Sequence, residues 1–170
     1  MNSSPSALEA VTTKAGRFAT SLGACVATAS VLVVTASATT SPSARACPSA
    51  TLVNTALGTH SGAPAATKTQ YSKTCTYPGS ASKSVFWTKI TFQEDTASTF
   101  AAGEKAATAG LGAKIVKKVQ HLGQAAWTTN AGDLYVFDGH ETIKIMALSL
   151  GMLSPSTATA KVEALARKLL

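Results

Sequence analysis

Histidines and carboxylates are the side chains of this sequence that are suited to acid–base or metal chemistry. The imidazoles are His60, His121 and His140. Glu141 follows His140, but a zinc-binding helix of the His-Glu-x-x-His type needs a histidine where Lys144 stands. The spacing of these residues therefore predicts no metal site and no cofactor.

A hydrolytic site would have to be assembled by the fold, because the sequence contains no local motif for one. The nucleophile motif Gly-x-Ser-x-Gly is absent, and residues 110–114 lack the spacing of a phosphate-binding loop. The carboxylates that three-dimensional structure could pair are Glu94, Asp95, Glu104, Asp133, Asp138, Glu141 and Glu163. A small secreted hydrolase built on His121 or His140 is one alternative, and a cleft joining either histidine to a serine or a carboxylate would favour it.

Aromatic side chains offer a site for binding rather than catalysis. The candidate ligand surface consists of Trp87, Trp127, Tyr135, Phe137 and His140. If helices cover one face of the sheet only, Tyr135 and Phe137 lie on the open face beside Trp87 and form an apolar platform. If the C-terminal helix covers them instead, they belong to the core.

A third candidate surface is basic. Residues 114–122 alternate apolar and polar side chains as a half-buried strand does, and Lys114, Lys117 and Lys118 lie along it. These lysines have two interpretations. They are either a patch that contacts polyanions or an edge strand whose charges prevent aggregation.

Length and charge limit the classes of protein to consider. The 170 residues are 45% hydrophobic and suffice for one domain with an extension. The net charge of +7 is dispersed along the chain and does not indicate a specific nucleic-acid partner. The composition excludes collagen-like, coiled-coil and multi-span membrane proteins.

The first forty residues have the features of an export signal. Lys14 and Arg17 precede an uncharged stretch at 18–38, and small residues suited to a signal peptidase occur at 36–38 and again at 44–46. An uncleaved membrane anchor and lipidation at Cys25 or Cys47 are alternatives. We therefore expect a leader at 1–40, a single domain at 41–170 and a secreted or extracellular location, with membrane association only if the leader is uncleaved or lipidated.

Two cysteines remain once the leader is removed. Export places Cys47 and Cys75 where disulfides persist, which predicts one bridge between them. A reactive thiol or a metal ligand is the alternative, but neither cysteine has a partner at zinc-site spacing.

The first half of the domain shows signals for two helices and two strands. A helix over 52–57 should end at Gly58, followed by a surface loop at 59–69. Strands at 71–77 and 85–92 should pair, with the side that carries Phe86, Ile90 and Phe92 facing the core. A second helix should start at Asp95 or Thr96, and its small residues suit close packing on a sheet.

A hairpin and a helix should complete the fold. Asp138-Gly139 predicts a type I′ turn within 133–149, which would place Phe137 opposite His140, Tyr135 opposite Thr142 and Asp133 opposite Lys144. Ser154-Pro155 should start a C-terminal helix with an apolar stripe. The fold class is therefore α+β, an antiparallel sheet of about five strands with two or three helices packed on it.

The pattern resembles a group of small exported and lipoprotein-type domains of unknown function from high-GC Gram-positive bacteria. The likeness rests on Cys47 with Ala-Leu-Gly at 56–58, Cys-Thr-Tyr at 75–77, Leu-Gly-x-x-Ala at 122–126 with Trp127, and the closing helix. The resemblance implies an α+β fold backed by helices, often disulfide-linked, and no assigned reaction.

These observations predict an exported, non-enzymatic domain that binds a protein, lipid or polymer at the cell envelope. Nonspecific polyanion binding through Lys114, Lys117 and Lys118 is an alternative, as is the secreted hydrolase. A cleft holding a histidine with a carboxylate distinguishes the hydrolase, and salt-sensitive retention on an anionic resin distinguishes polyanion binding.

Overall fold

The computed structural model describes residues 45–79, 87–150 and 153–170, all of which belong to the compact unit Ala38–Leu170. The helices are α1 (Ala50–Leu57), α2 (Ala97–Leu111) and α3 (Pro155–Leu169), with a 3-10 turn at Leu148–Leu150. The strands are β1 (Ala65–Lys68), β2 (Ser72–Tyr77), β3 (Thr88–Glu94), β4 (Lys117–Lys118), β5 (Ala125–Thr128), β6 (Leu134–Phe137) and β7 (Glu141–Ala147).

The described strands form one antiparallel sheet in the order β1-β2-β3-β7-β6-β5-β4. The predicted α+β class is confirmed, and the sheet is larger than expected, with seven strands instead of about five. The long-range pairing of β3 with β7 joins the two halves, because the chain between them contributes α2 and three further strands.

The first unpredicted strand lies where hydrophobic periodicity is weak. β1 occupies part of the predicted loop at 59–69, and all four of its residues are exposed. An edge strand needs only backbone pairing on one side, so it leaves no alternating pattern in the sequence. β5 was not predicted either, while the strand expected over 114–122 is reduced to the two residues of β4.

The β6–β7 hairpin differs from its predicted register by two residues. Phe137 lies opposite Thr142, and Tyr135 lies opposite Lys144. The Asp138 amide donates to the carbonyl of Glu141 at 2.9 Å, so the two-residue loop is Gly139-His140. The predicted pairing of Phe137 with His140 is therefore wrong.

The turn chemistry explains this shift. Gly139 has φ 82° and stands first in the loop, where a type II′ turn requires positive φ, whereas the predicted type I′ turn would place it second. A shift of two residues keeps every side chain on its predicted face. The predicted opposition of Asp133 and Lys144 is lost.

The inner face of the sheet packs against α1 and α3. Its core residues are Cys75, Tyr77, Ile90, Phe92, Leu134, Val136, Ile143, Ile145 and Ala147. The predicted stripe of α3 is buried at Ala158, Val162, Leu165, Ala166 and Leu169, and Ile90 and Phe92 face the core as expected. Phe86 lies outside the described residues.

A disulfide joins the segment before α1 to β2. Cys47 and Cys75 are bonded with their Cα atoms 5.8 Å apart, across a sequence separation of 28 residues, so the predicted bridge is confirmed. Closing a loop of this length removes conformational entropy from the unfolded chain worth about 3 to 4 kcal/mol in the loop-entropy model.

Local capping signals determine the ends of the helices. The side chains of Ser49, Thr96 and Ser154 accept amide hydrogens in the first turns of α1, α2 and α3, respectively. Gly58, with φ 68°, ends α1 in the left-handed conformation. The close packing expected for α2 is limited, because Phe100 is its one buried residue.

Candidate functional site

Three cross-strand neighbours form a layered stack on the sheet face opposite α1 and α3. Trp127 lies opposite Tyr135, which in turn lies opposite Lys144. The Trp127 and Tyr135 rings are 3.7 Å apart between centroids and 11° from parallel. The ammonium nitrogen of Lys144 lies 5.0 Å from the Tyr135 centroid. The stack therefore holds a cation at a defined position on the sheet.

The other end of this stack is covered by α2. The Phe100 ring lies 5.6 Å from Phe137 and 6.5 Å from Trp127 between centroids. Phe137 and Trp127 are only 2% and 5% exposed. These two candidates are thus core residues, and the helix that covers them is α2 instead of the C-terminal helix.

The remaining aromatic candidates do not join them. Trp87 is half-buried beside β3, where the ammonium of Lys89 lies 4.5 Å from its ring centroid. The spacing between strands and the spacing of residues along a strand put the Cα atom of Trp87 about 17 Å from the Cα atom of Tyr135. His140 is exposed in the β6–β7 turn. A role for Trp87, Tyr135 or His140 in ligand contact stays a prediction.

We define the outer face as the part-exposed side chains Thr74, Thr76, Lys89, Thr91, Lys144 and Met146 of β2, β3 and β7. The hydroxyl groups of Thr74 and Thr91 hydrogen-bond across the strands at 3.0 Å. Among the described residues, α2 contacts the neighbouring β5–β6 aromatic cluster through Phe100 and leaves this outer face open. The described side chains of this face therefore carry threonine hydroxyl groups and the ammonium groups of Lys89 and Lys144.

The three basic candidates lie apart from the outer face. Lys114 is exposed in a turn, and Lys117 and Lys118 form the edge strand β4. Since neighbouring residues of a strand point to opposite faces, Lys117 and Lys118 do not share one surface. The Lys118 ammonium lies 3.7 Å from a carboxylate oxygen of Glu104. Their contact with polyanions stays a prediction.

The histidines are exposed and lie in separate loops. His121 lines a groove of about 300 Å³ together with Glu104, and His140 lines a second groove with acidic residues. This groove of about 470 Å³ includes Glu94, Asp95 and Thr99. One oxygen of Asp95 accepts from the Thr142 hydroxyl at 2.6 Å and the other from the Thr96 amide at 2.8 Å.

Nucleophilic hydrolysis needs a base in contact with a nucleophile. Within the described part of the chain, the imidazole of His140 has no hydrogen-bond partner. The Thr99 hydroxyl is hydrogen-bonded to Thr96 at 2.9 Å. The groove therefore combines a histidine with carboxylates but lacks an assembled nucleophile and base. The described residues contain no group of three side chains placed to hold a metal ion.

Sequence reasoning missed a buried ionic cluster at the end of the inner face. Glu141 is 2% exposed and forms an ion pair with Arg45, and Lys73 is also buried. The register places Glu141 on the same side as Ile143 and Ile145, so an acidic residue at an aliphatic position was the available signal. Its partner lies 96 residues away, which no local pattern indicates.

Two pKa shifts have clear physical causes. Burial raises the pKa of Tyr77 to about 12. Burial also raises the pKa of Asp133, and the positive charge of Lys144 opposes that rise. Lys144 therefore influences both the aromatic stack and the turn that precedes β6.

Comparisons with protein families, with curated proteins and with solved structures find no match for this chain. The resemblance to small exported domains stays a prediction. None of the helices in the described ranges has the length and apolar character needed to cross a membrane.

Proposed function

We propose that this chain is an exported, non-catalytic domain that binds a linear anionic polymer of the cell envelope through its outer face. The disulfide between Cys47 and Cys75 supports folding in an oxidising environment outside the cytoplasm. Without the leader, which contains Lys14, Arg17 and Glu9, the domain has 13 basic and 7 acidic side chains, and this net charge of +6 supports attraction to an anionic surface.

The observation that carries the proposal is the pair of lysines on the outer face. Lys89 and Lys144 each extend over an aromatic ring, so their ammonium groups occupy defined positions. Strand spacing puts their Cα atoms about 8 Å apart. These two cations share a sheet face with the Thr74 and Thr91 hydroxyls, and together the four groups suit an extended chain that carries repeated negative charges and hydrogen-bonding groups.

A polymer fits this face better than a lipid or a folded protein. The rings that could form an apolar platform are covered, because Tyr135 lies between Trp127 and Lys144 and because Phe137 is buried. A protein-binding core needs apolar or aromatic anchors that enter a pocket. The outer face instead offers hydroxyl groups, two ammonium groups and the thioether of Met146.

The test uses linear polyphosphate as the polymer and measures its affinity for the exported protein by calorimetry between 50 and 200 mM salt. The Lys89→Gln/Lys144→Gln variant should bind at least ~10-fold more weakly, with a salt slope reduced by about two, because two cation–phosphate contacts are lost. Lys114→Gln/Lys117→Gln removes the same charge elsewhere and should change affinity less than ~3-fold.

Other outcomes contradict the proposal. Equal losses in both variants would mean that net charge alone drives binding, and a larger loss in the control would favour the β4 region. Absence of polyphosphate binding by the unmodified protein would overturn the anionic-polymer assignment.

A further inference from the structure

We infer that the leader is removed after Ala38 and that the second small-residue site, at 44–46, is not used, because Arg45 is part of the folded domain. The inference depends on export, which belongs to the proposed function, but it does not depend on any ligand. Sequence patterns alone leave both sites open. The contacts of Arg45 distinguish them.

Arg45 makes four contacts with distant parts of the fold. Its guanidinium pairs with the Glu141 carboxylate, donates to the carbonyl of Leu169 at the end of α3, and lies 4.8 Å from the ring centroid of Phe92. Its own carbonyl accepts from the Lys73 ammonium at 2.6 Å. One residue therefore connects β2, β3, β7 and α3.

The burial of Glu141 is the reason that the domain needs Arg45 for its stability. Its carboxylate is buried, and among the described residues its second oxygen has no hydrogen-bond partner. Arg45 is the cation that forms an ion pair with it in the described structure. Cleavage after Ala46 would remove that cation together with the carbonyl that Lys73 contacts, which would leave two buried charges without these partners. An unpaired buried charge is far more costly than a broken surface ion pair.

Cleavage after Ala38 keeps the whole cluster. It leaves Arg45 on the domain with six residues before it. The segment just before Cys47 is consequently a part of the fold, not a spacer between leader and domain. We assign Arg45 as a positioning residue that pairs with Glu141 and fastens the start of the domain to the end of α3.

The direct test is the N-terminus of the full chain secreted by a Gram-positive host, determined by intact mass and terminal sequencing. A start at Thr39 supports the inference. A start at Cys47 overturns it, and a product that retains Met1 overturns it together with the expected export signal. The polyphosphate experiment is independent, so failure of ligand binding leaves this result unaffected.

A variant series in the secreted full chain tests the physical reason. Arg45→Met should lower Tm by roughly 10 °C or more. Arg167→Met removes an exposed arginine that pairs with Glu163 at 3.4 Å and donates to the carbonyl of His121 at 3.1 Å, and it should change Tm by less than ~3 °C because both contacts are exposed. Equal effects of the two substitutions would contradict the role of Arg45.

A compensating double variant keeps the test informative if Arg45→Met does not fold. Arg45→Met/Glu141→Leu removes both charges and should recover at least half of the lost Tm, or restore secretion if the single variant is not secreted. If the double variant is no more stable and no better secreted than Arg45→Met, the Glu141 pairing does not explain the role of Arg45.

Discussion

Tyr77 donates its hydroxyl hydrogen to the carbonyl oxygen of Pro48 at 2.7 Å, and this bond ties β2 to the residue that follows Cys47. The ring is buried in the inner core. The hydroxyl and the disulfide therefore fasten the same two segments, one by a hydrogen bond and the other by a covalent bond.

Alkaline pH should weaken the fold through Tyr77. Burial raises its folded-state pKa to about 12, from an ordinary value of 10.0. The associated stability is fully present below pH 10 and is lost between pH 10 and 12, because the unfolded chain releases the proton first. The loss should approach roughly 2 to 3 kcal/mol.

Urea unfolding at pH 8, 10 and 11 measures this effect, with Tyr77→Phe as the control. At pH 8 the free energy of unfolding of the variant should be about 1 kcal/mol lower, because the variant lacks the hydrogen bond to Pro48. Above pH 10 its free energy of unfolding should fall less than that of the unmodified protein. Parallel pH profiles would show that Tyr77 does not titrate differently in the two states.

The disulfide should supply a large part of the domain's stability. Cys47→Ala/Cys75→Ala should lower the free energy of unfolding by about 3 to 4 kcal/mol. Urea midpoints of the oxidised protein, the reduced protein and the double variant measure the loss. A loss below ~1 kcal/mol would contradict this assignment.

Close backbone approach should make Gly123 intolerant of a side chain. It has φ 60°, and an added Cβ would lie 2.5 Å from the carbonyl oxygen of Phe137 and 2.7 Å from Cγ1 of Val136. Gly132 has a similar φ of 85°, but its added Cβ would meet only the Ala158 Cβ, at 3.5 Å. The two sites therefore separate steric overlap from backbone strain.

Both Gly→Ala variants should lose about 1 to 2 kcal/mol from the left-handed conformation. Gly123→Ala should lose roughly 1 to 3 kcal/mol more because β6 must shift. Chemical denaturation of the two variants gives the difference directly. Equal losses would mean that the loop before β5 moves away from β6 without cost.

The parts of the fold that were predictable from sequence are those set by local chemistry. Ser154-Pro155, Thr96 and Gly58 mark helix ends by hydrogen bonding or backbone conformation within a few residues. The disulfide was predictable from the expected export signal and from the number of cysteines. The side chains that share a face of the hairpin were also predictable, because side chains alternate between the two faces and a register shift of two residues keeps each of them on its face.

Long-range pairing was not predictable in the same way. β1 has no buried side, so its pairing with β2 left no pattern in the sequence. The ion pair of Arg45 with Glu141 depends on the segment before α1 meeting the start of β7 in space. The cover of Phe137 by Phe100 depends on the placement of α2 on the outer side of the sheet.

The most direct test of the binding surface is a nuclear magnetic resonance titration of the exported protein with linear polyphosphate. We expect the largest chemical-shift changes at Lys89, Thr91 and Lys144, and little change on the surface of α3. Changes concentrated on Lys117 and Lys118, or spread evenly over all exposed lysines, would contradict the outer face as the binding site.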